Sequence, residues 1–322
     1  MVVIIAAFAS WFLLWALIPL LRKRLLDQPN VRSSHISPTP RGGGVAFVIV
    51  TTIGSLIAAC FGIATWALPL VTCALPLAVV GLVDDRINLN AGLRYGIQLL
   101  TSAALLAFSP LLRSWILSAQ QFWVYPVVFF LTVAVTAVIN FTNFMDGLDG
   151  LVASCLLVAF SAAALTFNGS EVLWILIGGL LGFLVWNWSP AKVFMGDVGS
   201  TFLGALWAGC LLQSSSWLEA AGLLLVSTPL LADAFVCVVR RLIAGQHIFK
   251  AHRLHLFQRL NQAGWSHSQV ATLYLSATAV LAVSWLIGAF FSVLGFAVLS
   301  VLIGFWLDQR YALSFSLASE NS

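Results

Sequence analysis

Apolar residues fill most of the chain in long runs, and short polar islands separate these runs. Runs of about 18 to 22 apolar residues have the length that a helix needs to cross a bilayer. They predict an all-α polytopic integral membrane protein with about eleven transmembrane helices, or ten if residues 273–307 are not divided near Gly288. The spans are predicted near 2–21, 43–62, 64–83, 94–110, 123–141, 150–168, 171–189, 199–214, 217–239, 269–288 and 289–307.

Composition supports one membrane domain over residues 1–322, because 61% of the residues are hydrophobic and only 8% are charged. This balance excludes a soluble domain. The five cysteines lie inside apolar runs without CxxC spacing and are expected to be small buried side chains. Contact with anionic lipid or phosphate accounts for the net charge of +4, so no nucleic acid partner is predicted.

The positions of Lys and Arg predict the orientation, since positive residues are retained on the cytoplasmic side. With the N-terminus in the periplasm, only Arg113 of the 15 Lys and Arg lies outside. The first run lacks a leading basic region and is followed by Arg22-Lys23-Arg24, which favours a retained span over a cleaved signal peptide. The same topology places every acidic island described below on the cytoplasmic face.

Two acidic islands stand at predicted span ends, where a carboxylate is costly unless it binds something. Asp84 and Asp85 are adjacent like charges, which suit a divalent cation, although they could also be solvated loop acids beside Arg86. Asp197 opens the eighth predicted span, where it could cap the helix or bind a metal.

A third island places a polar residue at every third position: Asn140, Asn143, Asp146 and Asp149. Glycines follow both aspartates, so the backbone is expected to turn there and bring the polar groups together. Asp149 could instead cap the next helix.

Two basic loops could bind phosphate. Residues 22–44 contain a Pro-Arg-Gly-Gly-Gly run, in which Arg41, with His35 nearby, could cradle an anion, although a positive-inside loop explains the pattern almost equally well. The cytoplasmic loop 240–268 is predicted to be either a phosphate-binding arm or a membrane-surface helix. No cysteine partner accompanies its His252 and His255 in the sequence, so a zinc pair is not expected.

Four motifs together resemble the polyprenyl-phosphate N-acetylhexosamine-1-phosphate transferases: GLVDD at 81–85, NFTNFMDGLDGL at 140–151, VFMGDVGST at 193–201 and HRLHLFQRL at 252–260. The resemblance implies transfer of a sugar 1-phosphate from a UDP-N-acetylhexosamine to undecaprenyl phosphate, with release of UMP. It also implies a multi-pass protein of the bacterial inner membrane that requires Mg2+, with Mn2+ as an alternative, and it allows a homodimer.

The resemblance further assigns roles. It implies catalytic roles for Asp84, Asp85, Asp197 and His255. It implies metal binding by Asp197, Asp85 and Asn143. It implies substrate binding by Asn143, Asp146, Asp149, Phe194, Arg41, Arg253 and Arg259, with uracil stacked on Phe194.

Many relatives carry His-x-His-His in the last inner loop, whereas this chain has His255-Leu256-Phe257-Gln258. That departure indicates the branch that begins O-antigen or capsule glycans, with GlcNAc, GalNAc, FucNAc or QuiNAc as the sugar.

A secondary transporter or lipid flippase is the alternative, because transporters place carboxylates near the bilayer midplane. Here Asp233 is the only ambiguous position of that kind. The enzyme hypothesis predicts that Asp233→Asn is mild, because the residue lies inside a span. It also predicts that His267→Ala has little effect.

Overall fold

The computed structural model describes residues 1–29, 34, 37–63, 66–167, 171–247 and 252–320. Within these residues the chain forms helices and one short antiparallel hairpin. The elements are α1 (Val2–Arg24), β1 (Leu26–Asp27), β2 (Thr39–Pro40), α2 (Val45–Cys60), α3 (Ala67–Ile87), α4 (Ala91–Ala107), α5 (Pro110–Ser118), α6 (Gln121–Phe144), α7 (Leu151–Thr166), α8 (Glu171–Asn187), α9 (Asp197–Leu211), α10 (Trp217–Val226), α11 (Thr228–Ile243), α12 (Leu256–Gln262), α13 (His267–Arg310) and α14 (Phe315–Glu320).

The helices identify a polytopic membrane protein. In the described chain, α1, α3, α6 and α13 are long and apolar enough to cross a bilayer. The number rises to six if the bent pairs α4–α5 and α10–α11 each form one span, and α2, α7 and α8 are shorter apolar helices. Large apolar side chains such as Phe8, Phe129 and Phe291 are exposed on the outer faces, where lipid would solvate them.

The segment predicted as a span near 217–239 is divided into α10 and α11, which meet at a bend of 82°. Pro229 lies in the first turn of α11 and has no N–H with which to continue the helix of α10. The Ser227 hydroxyl, between the two helices, donates to the Leu224 carbonyl and accepts from Trp207 Nε1. The expected division near Gly288 is confirmed: Ala289 interrupts α13 with non-helical φ and ψ.

Helix α9 lies in the core, and two glycines let neighbouring elements approach its first turn. A Cβ on Gly81 of α3 would lie 2.5 Å from the backbone of Asp197, and one on Gly44 would lie 2.4 Å from the Gly199 Cα. Small residues permit such close approach between membrane helices. The end of α3 and the start of α2 therefore meet at Asp197.

The hairpin tethers the Pro-Arg-Gly-Gly-Gly segment to the same place. Leu26 pairs with Pro40 and Asp27 pairs with Thr39. The Phe194 N–H donates to the Pro40 carbonyl, and the Gly43 N–H donates to the Phe194 carbonyl, both at 2.8 Å. Arg41 is thereby held beside the loop that precedes α9.

Candidate active site

Asp197 is the first residue of α9 and follows Gly196, whose φ of +75° lets the loop turn into the helix. Its side chain makes no cap, so the predicted capping role is wrong. Asn143, at the end of α6, donates from Nδ2 to Asp197 Oδ1 at 2.9 Å and to Ser200 Oγ at 2.8 Å. The Asn143 amide therefore fixes the orientation of the Asp197 carboxylate.

Asp84 and Asp85 point to different partners from the last turn of α3, because successive helical residues are about 100° apart around the axis. Asp84 accepts from Arg94 Nη1 at 2.8 Å, and the same atom lies 3.8 Å from Asp197 Oδ2. Asp85 Oδ1 accepts from the Asp197 N–H at 3.2 Å, while Asp85 Oδ2 is buried without a hydrogen-bond partner among the described residues. The pair thus contributes one neutralised carboxylate and one with an oxygen still available.

The turn after α6 brings Asp146 and Asp149 to the same region, as predicted from its glycines. Burial, and then the charges of Asp197 and Asp85, raise the pKa of Asp146 to about 8. Asp149 Oδ2 accepts from the Ala191 N–H at 3.1 Å and lies 3.1 Å from His267 Nδ1. Asp149 does not cap α7, whose N-cap is Gly150 with no side-chain hydrogen bond.

Two adjoining pockets share Asp197. The larger, called the acidic pocket, has a volume of about 280 Å³. Its lining includes Asp27, Arg41, Asp85, Asp146, Asp149, Phe194, Asp197, Gln258 and His267. Five carboxylates in such a space repel one another unless cations offset them.

The smaller, called the polar pocket, has a volume of about 60 Å³ between α3, α4, α6 and α9. Its lining includes Asp84, Arg94, Tyr95, Gln98, Asn140, Asn143, Phe144 and Asp197. Each of the three predicted acidic islands thus contributes to one pocket or both.

Arg41 lies in the acidic pocket, with Nη2 2.7 Å from Asp27 Oδ2 and Nη1 3.9 Å from Asp85 Oδ1. Phe194 lines the same pocket. His35 lies outside the described residues.

The structure does not bring His255, Arg253 or Arg259 into the lining of either pocket. His255 is 2% exposed, and burial together with the charge of Arg241 lowers its pKa to about 3, so the imidazole is neutral near pH 7.

Arg259 is 2% exposed; it donates to the Leu254 and Leu313 carbonyls and pairs with Asp308. The prediction that Arg259 is a phosphate-binding group is wrong, because these buried acceptors already hold its guanidinium. The carbonyl of Arg253 accepts from Gln262 Nε2.

Loop 240–268 reaches the acidic pocket through other residues. Gln258 of α12 and His267 at the start of α13 line it, which argues against the expectation that His267→Ala has little effect. The loop is also not uniformly irregular, since it contains α12. Arg94 lines the polar pocket but lies in none of the four sequence motifs, so its role was not predicted. Its position ten residues after Asp84, across a predicted turn between two spans, is the sequence feature that places it near that carboxylate.

Asp233 accepts hydrogen bonds that its position in the sequence did not predict. Its carboxylate accepts from the backbone N–H groups of Leu256 and Phe257, at 2.7 and 3.1 Å, and from the Tyr274 hydroxyl at 2.7 Å. It therefore fixes the first turn of α12 to α11 and α13. These contacts argue against the expectation that Asp233→Asn is mild.

Comparison with known proteins agrees with this arrangement. The sequence profile of glycosyl transferase family 4 matches residues 67–215, which contain all three acidic islands. The chain is 31% identical, over 78% of its length and 74% of the relative, to a probable undecaprenyl-phosphate N-acetylglucosaminyl 1-phosphate transferase of Bacillus subtilis.

Two further relatives carry related names. The chain is 30% identical to the undecaprenyl-phosphate alpha-N-acetylglucosaminyl 1-phosphate transferase of Escherichia coli K12, over 85% of the chain and 79% of the relative. It is 31% identical to the decaprenyl-phosphate N-acetylglucosaminephosphotransferase of Mycolicibacterium smegmatis, over 80% of the chain and 74% of the relative. The fold and site define a membrane-embedded transferase. The chain belongs to the family of polyprenyl-phosphate N-acetylhexosamine-1-phosphate transferases within glycosyl transferase family 4.

Proposed function

We propose that this protein transfers an N-acetylhexosamine 1-phosphate from a UDP-sugar to undecaprenyl phosphate and releases UMP. The observation that carries the proposal is the position of Asp197, which lines the acidic pocket and the polar pocket together. A diphosphate in one pocket and a lipid phosphate in the other would meet beside this carboxylate. The names of the relatives supply the lipid acceptor and the transferred group.

The UDP-sugar would occupy the acidic pocket. Phe194 offers a ring for stacking the uracil, and Arg41 offers a guanidinium to the phosphates. Asp149 is held by the Ala191 N–H and by His267, which suits a role in orienting the bound nucleotide. Gln258 adds an amide to the same wall.

Mg2+, or Mn2+ in its place, fits the acidic pocket by the chemistry of the donors. Asp85 Oδ2 is a buried carboxylate oxygen without a hydrogen-bond partner in the described structure, and Asp197 lies next to it. Asn143 lines the polar pocket and donates through Nδ2 to Asp197, so its amide oxygen would be a further ligand for an ion bound on that side of the Asp197 carboxylate. Oxygen-only donor sets of this kind suit hard divalent cations. Such an ion would neutralise charge on the diphosphate.

The lipid phosphate would occupy the polar pocket beside Arg94, which is paired with Asp84 and close to Asp197. A phosphate oxygen of the lipid attacks the β-phosphorus of the UDP-sugar, the bond to the bridging oxygen breaks, and UMP leaves with that oxygen. A phosphate monoester with a second pKa near 6 is largely ionised at pH 7, so this step needs alignment more than a strong base.

The membrane topology is part of the proposal. The structure supports a polytopic protein with four to six candidate spans, and the apolar runs of the sequence favour about eleven. The distribution of Lys and Arg favours an orientation with both pockets on the cytoplasmic face of the bacterial inner membrane. UDP-sugars are cytoplasmic, so this orientation gives the acidic pocket access to its substrate. Homodimer formation stays a prediction.

The sugar is proposed to be N-acetylglucosamine, because all three relatives described above carry that sugar in their names. N-acetylgalactosamine and the deoxy sugars FucNAc and QuiNAc are the competing substrates. The product would begin a lipid-linked cell-surface glycan of the O-antigen or capsule type.

The experiment is to incubate the purified full-length protein with undecaprenyl phosphate, Mg2+ and each UDP-sugar in turn, and to measure UMP. UDP-GlcNAc should give the highest kcat/KM, and Asp197→Asn should reduce its turnover at least about 100-fold, because the change removes a carboxylate that would hold the ion that neutralises the diphosphate. Glu219→Gln changes a peripheral carboxylate and is the matched control. Folded protein that releases UMP from none of the sugars would favour the transporter or flippase.

A further inference from the structure

We propose that Cys237, His252 and His255 form a second metal site, separate from the acidic pocket, that binds a soft or borderline transition metal such as Zn2+. One ligand atom from each side chain can be chosen so that all three lie within 4.8 Å of one another. Among the described residues, this is the one group of three or more histidine, cysteine or acidic side chains whose ligand atoms lie this close together. The inference is independent of the proposed transferase reaction.

The ligands come from two segments that the fold brings together. Cys237 lies on α11, one turn after Asp233, and the two histidines lie in the segment that leads into α12. The imidazole centroids of His252 and His255 are 5.0 Å apart. Cys237 lies on a different element from the histidines and approaches them only when α12 packs against α11, so no local sequence pattern predicted a cysteine partner.

The donor set selects the metal. Sulfur and imidazole nitrogen suit Zn2+ and similar ions, whereas Mg2+ prefers oxygen ligands. The proposed second site and the acidic pocket therefore differ in the metal that each would accept. Cys237 and His255 are 3% and 2% exposed and His252 is half-buried, so the site lies mostly away from solvent. Three protein ligands leave the fourth position of a tetrahedral zinc ion for water or another donor.

A second observation that supports the proposal is a buried imidazole nitrogen at this site. His255 Nδ1 is buried and makes no hydrogen bond of normal geometry among the described residues, although the His255 side chain faces the Gln258 N–H at the start of α12. Buried polar atoms in folded proteins are normally paired, and the lone pair of a neutral imidazole nitrogen can bind a metal ion. Asp233 Oδ1 lies 3.9 Å from the same nitrogen and would offset part of the metal charge.

Binding has an identifiable cost. His252 Nδ1 accepts from the Leu254 N–H at 3.2 Å, and coordination through either ring nitrogen removes this acceptor. Cys237 must also release its thiol proton to solvent as the metal–sulfur bond forms. Metal affinity should therefore rise with pH. The bound ion would fasten the start of α12 to α11 next to the contacts made by Asp233, and so hold Gln258 at the acidic pocket.

The test uses the full-length protein in detergent, purified without a histidine tag or chelator. Titration with Co2+ in excess Mg2+, which keeps the acidic pocket occupied, should give one equivalent per chain and a thiolate-to-cobalt absorption band in the near ultraviolet, and Zn2+ should displace the cobalt. Elemental analysis after dialysis against Zn2+ should find one zinc per chain.

Cys237→Ser and His255→Gln should each weaken zinc binding at least tenfold, and Cys237→Ser should abolish the thiolate band. Cys210→Ser, which changes a buried cysteine in α9, is the control and should leave both unchanged. The wild-type cobalt spectrum keeps the test decisive if a variant does not fold. Absence of the thiolate band in wild-type protein, or zinc binding retained in folded Cys237→Ser, would overturn the proposal.

Discussion

Asp233 provides a sharp test of how the structure is held together. Three donors, the N–H groups of Leu256 and Phe257 and the hydroxyl of Tyr274, point at its two carboxylate oxygens. Asp233→Asn keeps one oxygen but places an NH2 group opposite at least one of these donors. At least one buried donor is therefore left unpaired at the start of α12.

The magnitude follows from these contacts. A hydrogen bond to a charged acceptor contributes about 1.5–3 kcal/mol, and an unpaired buried donor costs about 1–3 kcal/mol. We expect Asp233→Asn to destabilise the protein by roughly 2–4 kcal/mol, and Tyr274→Phe, which removes one donor and leaves none unpaired, by about 1–2 kcal/mol. Turnover should fall as well, because α12 carries Gln258 into the acidic pocket and places Phe257 against Gly147.

The assay is thermal unfolding of purified protein in one detergent at one scan rate, followed by tryptophan fluorescence. A loss of roughly 2–4 kcal/mol should lower the midpoint by about 5–10 °C. The control Glu219→Gln should stay within about 0.5 kcal/mol of wild type, as is usual for peripheral changes. A midpoint and turnover for Asp233→Asn equal to those of wild type would refute the reasoning.

Three further predictions concern the pockets. Phe194→Ala should weaken UDP-sugar binding by about 1–3 kcal/mol in calorimetry, and Phe194→Trp should keep most of the affinity; equal losses would indicate packing rather than stacking. Arg94→Ala should raise the KM for undecaprenyl phosphate at least tenfold, measured by UMP release at saturating UDP-sugar, and an unchanged KM would remove Arg94 from the lipid phosphate site. His267→Ala should lower turnover several-fold because Asp149 loses its partner, whereas His247→Ala, at an exposed position, should not; equal activities would contradict the role of His267.

Local patterns in the sequence predicted much of the site. The acidic islands stand at helix ends beside glycines, and Gly81 and Gly44 permit the close approach that brings them to Asp197. The division near Gly288 was also visible, since the apolar run exceeds the length of one span.

The rest depended on contacts between distant parts of the chain. Asp233 bonds to α12 and to Tyr274, 23 and 41 residues away, and no local pattern encodes such a pairing. The bend between α10 and α11 also escaped prediction, because Pro19, Pro76 and Pro126 lie inside continuous helices, so a proline such as Pro229 does not by itself mark a break. Basic residues gave the least reliable signal: Arg259 is charged like a phosphate ligand, but its buried pairing with Asp308 is set by the fold.

The most direct test of the central claim follows the phosphorus atoms. The protein is incubated with undecaprenyl phosphate, Mg2+ and UDP-GlcNAc labelled at the β-phosphorus, and the lipid and nucleotide fractions are separated. Transfer of the sugar 1-phosphate predicts that the label moves into the lipid fraction in amounts equal to the unlabelled UMP released. Label that stays in the nucleotide as UDP while the sugar reaches the lipid, or no transfer by folded protein, would contradict the account.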